Sequence, residues 1–269
     1  MSNGIVNAFA QLRRTGKKAF IAYLTAGFPS VDATVDCAVQ LAGAGADIIE
    51  LGVPFSDPMA DGLTIQAASQ RALENGITLD QIFEVVHRIR QKSEVPLALM
   101  TYYNPVFHYG EERFVKQARA YGVDGLIIPD LPPEEAAGLC RAAQKVHMSV
   151  IFFLAPTTKP KRMPLICKAS TGFIYYVSLT GVTGERQKLD EKLWTNLRQA
   201  RKMTDQPVCI GFGISTPEQV RQAGRMADGV IVGSAIIKEM ERHADQPDMP
   251  SRVADFVRTL KHALNEVPA

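Results

Sequence analysis

Eight short apolar runs recur along the 269-residue chain, and stretches with helical periodicity lie between them. The runs are apolar almost throughout instead of alternating with polar residues, as expected of strands that are covered on both faces. Strands that alternate with helices in this way favour βα units and a parallel sheet. The predicted strands are 19–25, 46–51, 97–102, 125–129, 149–154, 173–178, 207–211 and 229–232.

The helical stretches are predicted at 31–42, 63–74, 79–90, 111–121, 133–145, 189–202, 217–223 and 253–264. Two of them lie between the second and third strands, so one is an inserted helix after strand 2, and an extra N-terminal helix at about 5–12 precedes the first strand. Eight strands and their helices in about 250 residues predict an α/β fold, a (β/α)8 TIM barrel with one domain over residues 1–269. A doubly wound open sheet is the alternative. No Gly-x-Gly-x-x-Gly follows the first strand, however, and glycine-rich turns follow several strands.

The composition excludes several classes of protein. With 46% hydrophobic and 22% charged residues the chain resembles an ordinary soluble globule, and its net charge of +2 comes without a basic run for nucleic acid. No apolar run is long enough to span a bilayer and no leader pattern opens the chain, so we expect a cytoplasmic protein. The five histidines lack metal-binding spacing, and no metal is expected. The cysteines are far apart and are predicted to be reduced thiols of the core: Cys37, Cys140, Cys167 and Cys209.

One carboxylate lies where water is scarce. Glu50 interrupts the apolar run of the second strand, and an unpartnered carboxylate there is costly enough to shift its pKa or to demand a function. Asp57 and Asp61 follow in the next loop, and two carboxylates on different backbone supports suit acid–base catalysis. Three plainer readings stay open. Glu50 could be satisfied by backbone donors or a lysine, Asp61 could cap the next helix or be a turn residue, and Asp57 could be a turn or partner-surface residue.

Candidate binding residues follow the other strands, because active sites of such barrels lie at the carboxyl ends of the strands. Glycine-bearing turns follow the sixth, seventh and eighth strands, at 181–184, 211–215 and 233–234, and predict a phosphate cradle. No lysine lies within a predicted strand and no nucleophile elbow surrounds a serine, so neither Schiff-base nor acyl-enzyme chemistry is expected. Polar side chains at the other strand ends are Tyr102, Tyr103, Asn104, Asp130 and Tyr175.

Six motifs carry a resemblance that covers nearly the whole chain. They are 20–29 (FIAYLTAGFP), 50–62 (ELGVPFSDPMADG), 100–105 (MTYYNP), 181–184 (GVTG), 211–215 (GFGIS) and 233–236 (GSAI). Together they are similar to the alpha subunit of tryptophan synthase, and the long acidic motif is the most specific of them. The resemblance implies a (β/α)8 barrel that cleaves indole-3-glycerol phosphate to indole and glyceraldehyde 3-phosphate, without a metal or an organic cofactor.

The resemblance also implies roles for individual residues. Glu50 would be the general acid–base, and Asp61 would hold the indole N–H and stabilise positive charge on the ring. Tyr175 would support Glu50 or the glycerol hydroxyls, and Thr183 would bond the aspartate when its loop closes. The implied phosphate contacts are Gly184, Gly213, Gly233 and Ser234. The implied lining of the indole pocket is Tyr23, Ile65, Met100 and Phe212, with Tyr102 as a further substrate-binding residue.

The family docks a beta subunit that carries pyridoxal phosphate, so the resemblance implies an α2β2 tetramer and no cofactor in this chain. The implied interface is Ser56, Asp57, Pro58, Asn104 and Pro105. Met59 and Leu63 depart from the family, in which leucine and proline are common at these positions. Two alternatives stay open. One is another barrel enzyme with the same glycine turns, such as a sugar-phosphate isomerase or an indole-glycerol-phosphate synthase. The other is an activator of the beta subunit with little lyase activity.

Overall fold

The computed structural model describes residues 3–177, 191–211 and 213–268. The strands within these residues are β1 (Ala19–Thr25), β2 (Ile48–Gly52), β3 (Leu97–Met100), β4 (Gly125–Ile127), β5 (Ser149–Ile151), β6 (Phe153–Leu154), β7 (Ile174–Val177), β8 (Val208–Gly211) and β9 (Gly229–Val232). They form a single parallel sheet in the order β5-β4-β3-β2-β1-β9-β8-β7-β6. The first strand therefore pairs with the last as well as with the second.

The sheet curls into a nearly closed barrel because its two edge strands are halves of one extended segment. The predicted strand 149–154 is interrupted at Phe152, so that β5 pairs with β4 whereas β6 pairs with β7. One further bond crosses the gap, in which the backbone N–H of Tyr175 donates to the carbonyl of Phe152 at 3.0 Å. The predicted parallel TIM barrel is confirmed.

Helices lie between the strands, as the periodicity predicts. They are α1 (Gly4–Arg14), α2 (Val31–Gly43), α3 (Leu63–Glu74), α4 (Leu79–Arg90), α5 (Tyr103–Tyr109), α6 (Glu111–Tyr121), α7 (Ala137–Lys145), α8 (Met163–Ala169), α9 (Glu191–Lys202), α10 (Pro217–Gly224), α11 (Ser234–Arg242) and α12 (Met249–Asn265). Of the predicted helix 189–202, residues 189 and 190 lie outside the described residues. In the part of the chain that the structure describes, no helix has the length and apolar character needed to cross a membrane.

Some boundaries differ from the predicted ones, and proline chemistry explains two of them. The predicted helix 133–145 begins at Ala137, because a turn precedes it in which Glu135 N–H donates to the Pro132 carbonyl. Helix α12 begins at Met249 instead of residue 253, with Pro250 in its first turn, where a missing N–H has no intrahelical acceptor to lose. Helices α5 and α8, of seven residues each, lie outside the predicted helices because they are too short for a clear period.

Helix α1 covers the amino-terminal end of the barrel. Asn3 caps this helix, and its side-chain amide donates to the carbonyl of Asp124, just before β4, at 2.8 Å. Ile5 is fully buried against the start of β4, where only a glycine leaves it room. A Cβ on Gly125 would lie 2.7 Å from the Ile5 side chain. The open end of the barrel is therefore the opposite one, where the strands end.

Three aspartates anchor the amino-terminal ends of strands in one repeated arrangement. Each directly precedes a strand, accepts a backbone N–H at the start of the neighbouring strand, and pairs with a cation from a helix. The backbone bonds are Phe20 N–H to Asp47 at 2.7 Å, Leu97 N–H to Asp124 at 3.1 Å and Val208 N–H to Asp228 at 2.9 Å. The paired cations are Lys261 for Asp47, Arg90 and Arg119 for Asp124, and Arg201 for Asp228. These charge-assisted bonds help to hold the strands in register at the closed end.

Candidate active site

Glu50 lies in the middle of β2 and is fully buried. The register of the sheet places Tyr23 of β1 and Ala98 of β3 on either side of it. Among the described residues no atom hydrogen-bonds either carboxylate oxygen, so the reading of a glutamate satisfied by backbone donors or a lysine is wrong there. Burial, and secondarily the charge of Asp61, raise the pKa of Glu50 to about 8. This carboxyl group is therefore predominantly neutral at pH 7.

Asp61 lies in the loop between β2 and α3, where a tyrosine from the next loop holds it. The Tyr102 hydroxyl donates to Asp61 Oδ2 at 3.0 Å and accepts the backbone N–H of Ala60 at 2.8 Å. The reading of Asp61 as a helix cap is wrong, because the N-cap of α3 is Gly62 and no side chain bonds there. Burial raises the pKa of Asp61 to about 6, and the hydrogen bond from Tyr102 acts in the opposite direction. Asp61 is therefore mostly ionised at pH 7.

Two tyrosines lie close to Glu50 because glycines leave room for them. A Cβ on Gly52 would lie 2.0 Å from the Tyr23 hydroxyl, and one on Gly211 would lie 2.8 Å from the Tyr175 hydroxyl. Burial raises the pKa of both tyrosines well above its usual range. The charge of Asp61 adds to the effect at Tyr23, and that of Glu50 adds to it at Tyr175. Both side chains are therefore neutral hydroxyl groups beside the carboxyl of Glu50.

Three of the four predicted phosphate residues lie after β8 and β9. Gly213 has a φ of 74°, which favours glycine, and Gly233 is the N-cap of α11, whose first residue is Ser234. The first N–H groups of a helix have no intrahelical acceptor and carry the positive end of its dipole. A Cβ on Gly233 would lie 3.4 Å from the Tyr23 side chain, so this turn borders the tyrosine beside Glu50. The predicted residues Thr183, Gly184 and Phe212 lie outside the described residues.

The apolar residues of the predicted indole pocket come from β3 and α3. Met100 is the last residue of β3 and is buried, and Ile65 lies in the first turn of α3, half-buried against the core. Phe55, which the sequence does not single out, stacks on the ring of Tyr102 with centroids 5.2 Å apart. The loop after β2 and the start of α5 are therefore packed against one another through Tyr102.

Known proteins match this sequence over nearly its whole length. A family model described as tryptophan synthase alpha chain matches residues 9–265. The chain belongs to the tryptophan synthase alpha chain family. Tryptophan synthase alpha chains of Geobacter sulfurreducens and Citrifermentans bemidjiense are 47% and 46% identical over 260 residues, which is 97% of this chain and 98% and 97% of theirs. The solved structure of tryptophan synthase subunit alpha from Legionella pneumophila is 38% identical, with a TM-score of 0.92 over 99% of this chain and 100% of that one.

Membership of the tryptophan synthase alpha chain family establishes the reaction. The chain is a lyase of tryptophan biosynthesis that cleaves indole-3-glycerol phosphate to indole and glyceraldehyde 3-phosphate. The resemblance drawn from the motifs is confirmed, and the alternatives of an isomerase or a synthase on a related barrel are set aside.

In this member of the tryptophan synthase alpha chain family, some predicted residues lie elsewhere than at strand ends. Asn104 and Pro105 lie in the first turn of α5, because Tyr102 already forms the N-cap of that helix. Asp130 lies in the exposed loop beyond β4, where it accepts the backbone N–H of Tyr103 at 2.9 Å. It therefore binds the start of α5 and is not a neighbour of the buried carboxyl.

Asp57 fits the turn reading. Its carbonyl accepts the N–H of Met59 at 2.9 Å, and its carboxylate accepts the hydroxyl of Ser56 at 2.5 Å. Ser56 and Asp57 are exposed, and Pro58 is half-buried. Large apolar side chains are also exposed in this loop and the helices that follow β2 and β3: Met59 at 87%, Leu63 at 83% and Phe107 at 70%.

The sequence analysis did not single out two residues that shape the site, Gly52 and Ala60. Gly52 stands two residues after Glu50, and the period of two in a strand puts both on one face of β2, so this signal could have found it. No such signal exists for Ala60, because its contribution is a backbone N–H. Over the described ranges, no three His, Cys, Asp or Glu side chains converge as metal ligands. The cysteines are free thiols, buried except for the half-buried Cys140.

Proposed function

We propose that Glu50 is the general acid–base that cleaves indole-3-glycerol phosphate. The observation that carries this proposal is a fully buried carboxyl group without a hydrogen-bond partner among the described residues. A purely structural glutamate would need partners, because an unsatisfied buried polar group costs about 1–3 kcal/mol. A pKa of about 8 keeps the group protonated at neutral pH and able to donate.

The proton balance of the reaction needs only this one carboxyl group. Glu50 donates its proton to indole C3, and the carboxylate then takes the proton of the hydroxyl on the adjacent side-chain carbon. The bond between C3 and that carbon breaks, and its electron pair returns to the ring. The hydroxyl oxygen becomes the aldehyde oxygen of glyceraldehyde 3-phosphate. Glu50 ends the cycle protonated, so no external acid or base is consumed.

Asp61 holds the indole N–H and stabilises the positive charge that the ring carries once C3 is protonated. Its support is the pair of bonds through which Tyr102 ties its carboxylate to the backbone of Ala60. Between pH 6 and pH 8, the two pKa values keep Asp61 ionised and Glu50 protonated. Each carboxyl group is then in the state its role requires, as in other enzymes whose two acids are separated by environment.

The remaining pocket follows the family roles. Tyr175 supports Glu50 or the glycerol hydroxyls, and Thr183 bonds Asp61 when the loops after β2 and β7 close and exclude water. The phosphate binds at the start of α11 and the neighbouring glycine turns, through Gly184, Gly213, Gly233 and Ser234. The indole ring lies against Tyr23, Ile65, Met100, Tyr102 and Phe212. None of these steps calls on a metal or an organic cofactor in this chain.

The same open end of the barrel binds a beta subunit, which carries the pyridoxal phosphate, in an α2β2 tetramer. Support comes from the exposed apolar side chains of Met59, Leu63 and Phe107 in the loop and helices that follow β2 and β3, since exposed apolar surface is typical of protein interfaces. The family's interface positions lie in the same loop and helix: Ser56, Asp57, Pro58, Asn104 and Pro105.

The wider organisation is also part of the proposal. Residues 1–269 form one domain that acts in the cytoplasm. Helix α1 and one of the two helices between β2 and β3 are additions to the eightfold repeat. The packing of Ile5 under the barrel supports the role of α1 as a cover for its amino-terminal end.

The test is indole release from indole-3-glycerol phosphate by Glu50→Gln. We expect kcat to fall about 10²–10⁴-fold, the usual contribution of a general acid–base. Calorimetry with the same substrate should give an affinity within a few-fold of its KM for the unsubstituted chain. Glu84→Gln is the matched control, because Glu84 is exposed on α4 and should release indole at the unsubstituted rate. Turnover by Glu50→Gln close to that of the control would reject the assignment.

Measuring the same variants with and without a beta subunit separates lyase from activator. A lyase loses indole release in both conditions when Glu50 is replaced. An activator with little chemistry of its own would release no indole alone and would stimulate the beta reaction equally well with either residue.

A further inference from the structure

A second pocket, of about 190 Å³, opens at the closed end of the barrel, away from Glu50. It lies between α1, the segment before β1 and the segment between α9 and β8. Phe9 and Leu12 of α1 give it an apolar wall. Of the nine described residues that line it, four are lysine or arginine and one, Asp228, is acidic. The pocket therefore combines an apolar surface with an excess of positive charge.

The one carboxylate of this pocket is already bound. Asp228 Oδ1 accepts from Arg201 Nη2 at 2.9 Å, and its Oδ2 accepts the backbone N–H of Val208 at 2.9 Å. These bonds belong to the anchoring of β8 described above. Arg201 and Asp228 thus neutralise one another, and the charge of the other cations is left over.

Lys18 is the one buried cation among the described residues that line this pocket. Its side chain lines the pocket, and the residue is only 9% exposed. Throughout the described residues its ammonium has no ion pair or hydrogen bond. Burial lowers the pKa of Lys18, and the nearby charge of Asp228 acts in the opposite direction without offsetting it. An unpaired buried charge is costly and seldom kept without a use.

We propose that this pocket binds a compact organic anion, whose carboxylate pairs with the Lys18 ammonium and whose small apolar body packs on Phe9 and Leu12. The volume limits the ligand to a single ring or a short branched chain, since pockets for drug-sized molecules measure roughly 300–1,000 Å³. The charge selects an anion, and the apolar wall distinguishes an organic carboxylate from an inorganic one. Arg13, exposed at the rim with one bond to the Asp205 carbonyl, supplies a second positive charge.

The test is a titration of the 269-residue chain with benzoate at constant ionic strength, followed by NMR. We expect saturable shifts of Phe9, Leu12 and the Lys18 side chain, with a Kd near 1 mM. Benzamide is the neutral probe of the same shape and should bind at least tenfold more weakly. Inorganic phosphate carries the charge without the ring and should also bind at least tenfold more weakly.

Three results would overturn the proposal. Benzamide could bind as tightly as benzoate, which removes the role of charge. Phosphate could bind as tightly, which removes the role of the apolar wall. Benzoate could shift residues elsewhere and leave Phe9, Leu12 and Lys18 unchanged.

Variants locate the binding. Lys18→Met keeps the length of the side chain and should lower the affinity for benzoate at least tenfold. Lys92→Met is the matched control, since Lys92 lies outside the pocket in an exposed pair with Asp36, and it should bind benzoate unchanged. If Lys18→Met does not fold, as judged by its Tm, Arg13→Gln decides. Arg13→Gln should lower the affinity for benzoate about threefold. An unchanged affinity in a folded Arg13→Gln protein would contradict the proposed site.

Discussion

The Tyr102 hydroxyl donates to Asp61 Oδ2 at 3.0 Å, across 41 residues of sequence. Because the hydroxyl oxygen of Tyr102 also accepts the backbone N–H of Ala60 at 2.8 Å, the tyrosine holds the loop and the Asp61 carboxylate together. Tyr102 is itself buried and is the N-cap of α5. The orientation of Asp61 is therefore set by the segment between β3 and α5, and β3 is the strand next to the one that carries Glu50.

Tyr102→Phe should show how much the activity depends on the hydrogen bond that holds Asp61, while Asp61 itself stays in place. The phenylalanine keeps the stacking on Phe55 and loses both hydrogen bonds, so we expect kcat for indole release to fall about tenfold, equivalent to about 1.4 kcal/mol. The pKa of Asp61 should rise, because the lost bond lowers it. The measurement is kcat against pH, with the acid limb moving upward.

Tyr103→Phe is the control for that variant. The Tyr103 hydroxyl donates to Glu111 at 3.0 Å, away from Asp61, and its loss should leave the pH profile unchanged. A Tyr102→Phe profile that also stays unchanged would show that Asp61 does not depend on this tyrosine.

The pH dependence of kcat/KM should be bell-shaped. The active state has Asp61 ionised and Glu50 protonated, so activity rises through about pH 6 and falls through about pH 8. The substrate phosphate also titrates near pH 6, so the alkaline limb is the cleaner report of Glu50. Constant activity from pH 7 to pH 10 would contradict the assignment. The residual activity of Asp61→Asn should keep an alkaline limb, which moves to lower pH because the charge of Asp61 helps to raise the pKa of Glu50.

Folding stability should depend on pH through Glu50. Its pKa is about 8 in the fold against 4.5 for a free glutamate, so between these values the folded chain holds a proton that the unfolded chain has lost. The contribution of this group to the free energy of unfolding is therefore intact below pH 4.5 and is lost as the pH rises to about 8. Glu50→Gln should be the more stable protein at pH 9, by on the order of a few kcal/mol, and nearly equal at pH 4.5. Urea unfolding at several pH values measures the difference, and a difference that does not vary with pH contradicts the cause.

Gly52→Ala should damage the site through Tyr23. The new Cβ would lie 2.0 Å from the Tyr23 hydroxyl, and such overpacking costs about 1–3 kcal/mol in unfolding experiments. The rate of indole release should fall together with the stability, because the Tyr23 ring must move. Gly43→Ala is the matched control: no atom lies within 4 Å of its Cβ position at the end of α2, and stability should stay equal or rise. Tyr23→Leu added to Gly52→Ala should recover part of the lost stability, and no recovery would point to strain elsewhere.

Asp124→Asn should destabilise the closed end of the barrel. The carboxylate pairs with Arg90 and Arg119, and breaking partly buried pairs from one side costs about 3–5 kcal/mol. Thermal unfolding measures the loss. Asp36→Asn, which breaks an exposed pair with Lys92, should change stability by less than about 0.5 kcal/mol. Similar small losses for both variants would mean that the anchor is dispensable.

The features that could be predicted from the sequence are those that depend on residues adjacent along the chain. The burial of Glu50 could be predicted because Ile48, Ile49 and Leu51 surround it, and apolar strands covered on both faces belong to a parallel sheet. The turn at Asp57 could be predicted from proline and serine beside it. The family motifs could also be recognised in the sequence, because each is a short contiguous segment, and they implied the reaction.

Other features exist only after the chain has folded. The break at Phe152, which lets one segment pair with both edges of the sheet, follows from closing the barrel and not from the residues of 149–154. The open reading of Asp61 as a helix cap gave way to a bond from Tyr102, which lies far along the chain and reaches Asp61 from the next loop.

The sequence by itself thus determined the order of strands and helices, the buried acid and the family, because these depend on periodicity and on contiguous residues. Only the tertiary structure decided which group holds Asp61, which glycines admit Tyr23 and Tyr175, and that Lys18 is buried without an ion pair among the described residues. Hydrogen bonds, steric clearance and desolvation act between side chains that meet in space. Their partners cannot be identified until the barrel brings distant segments together.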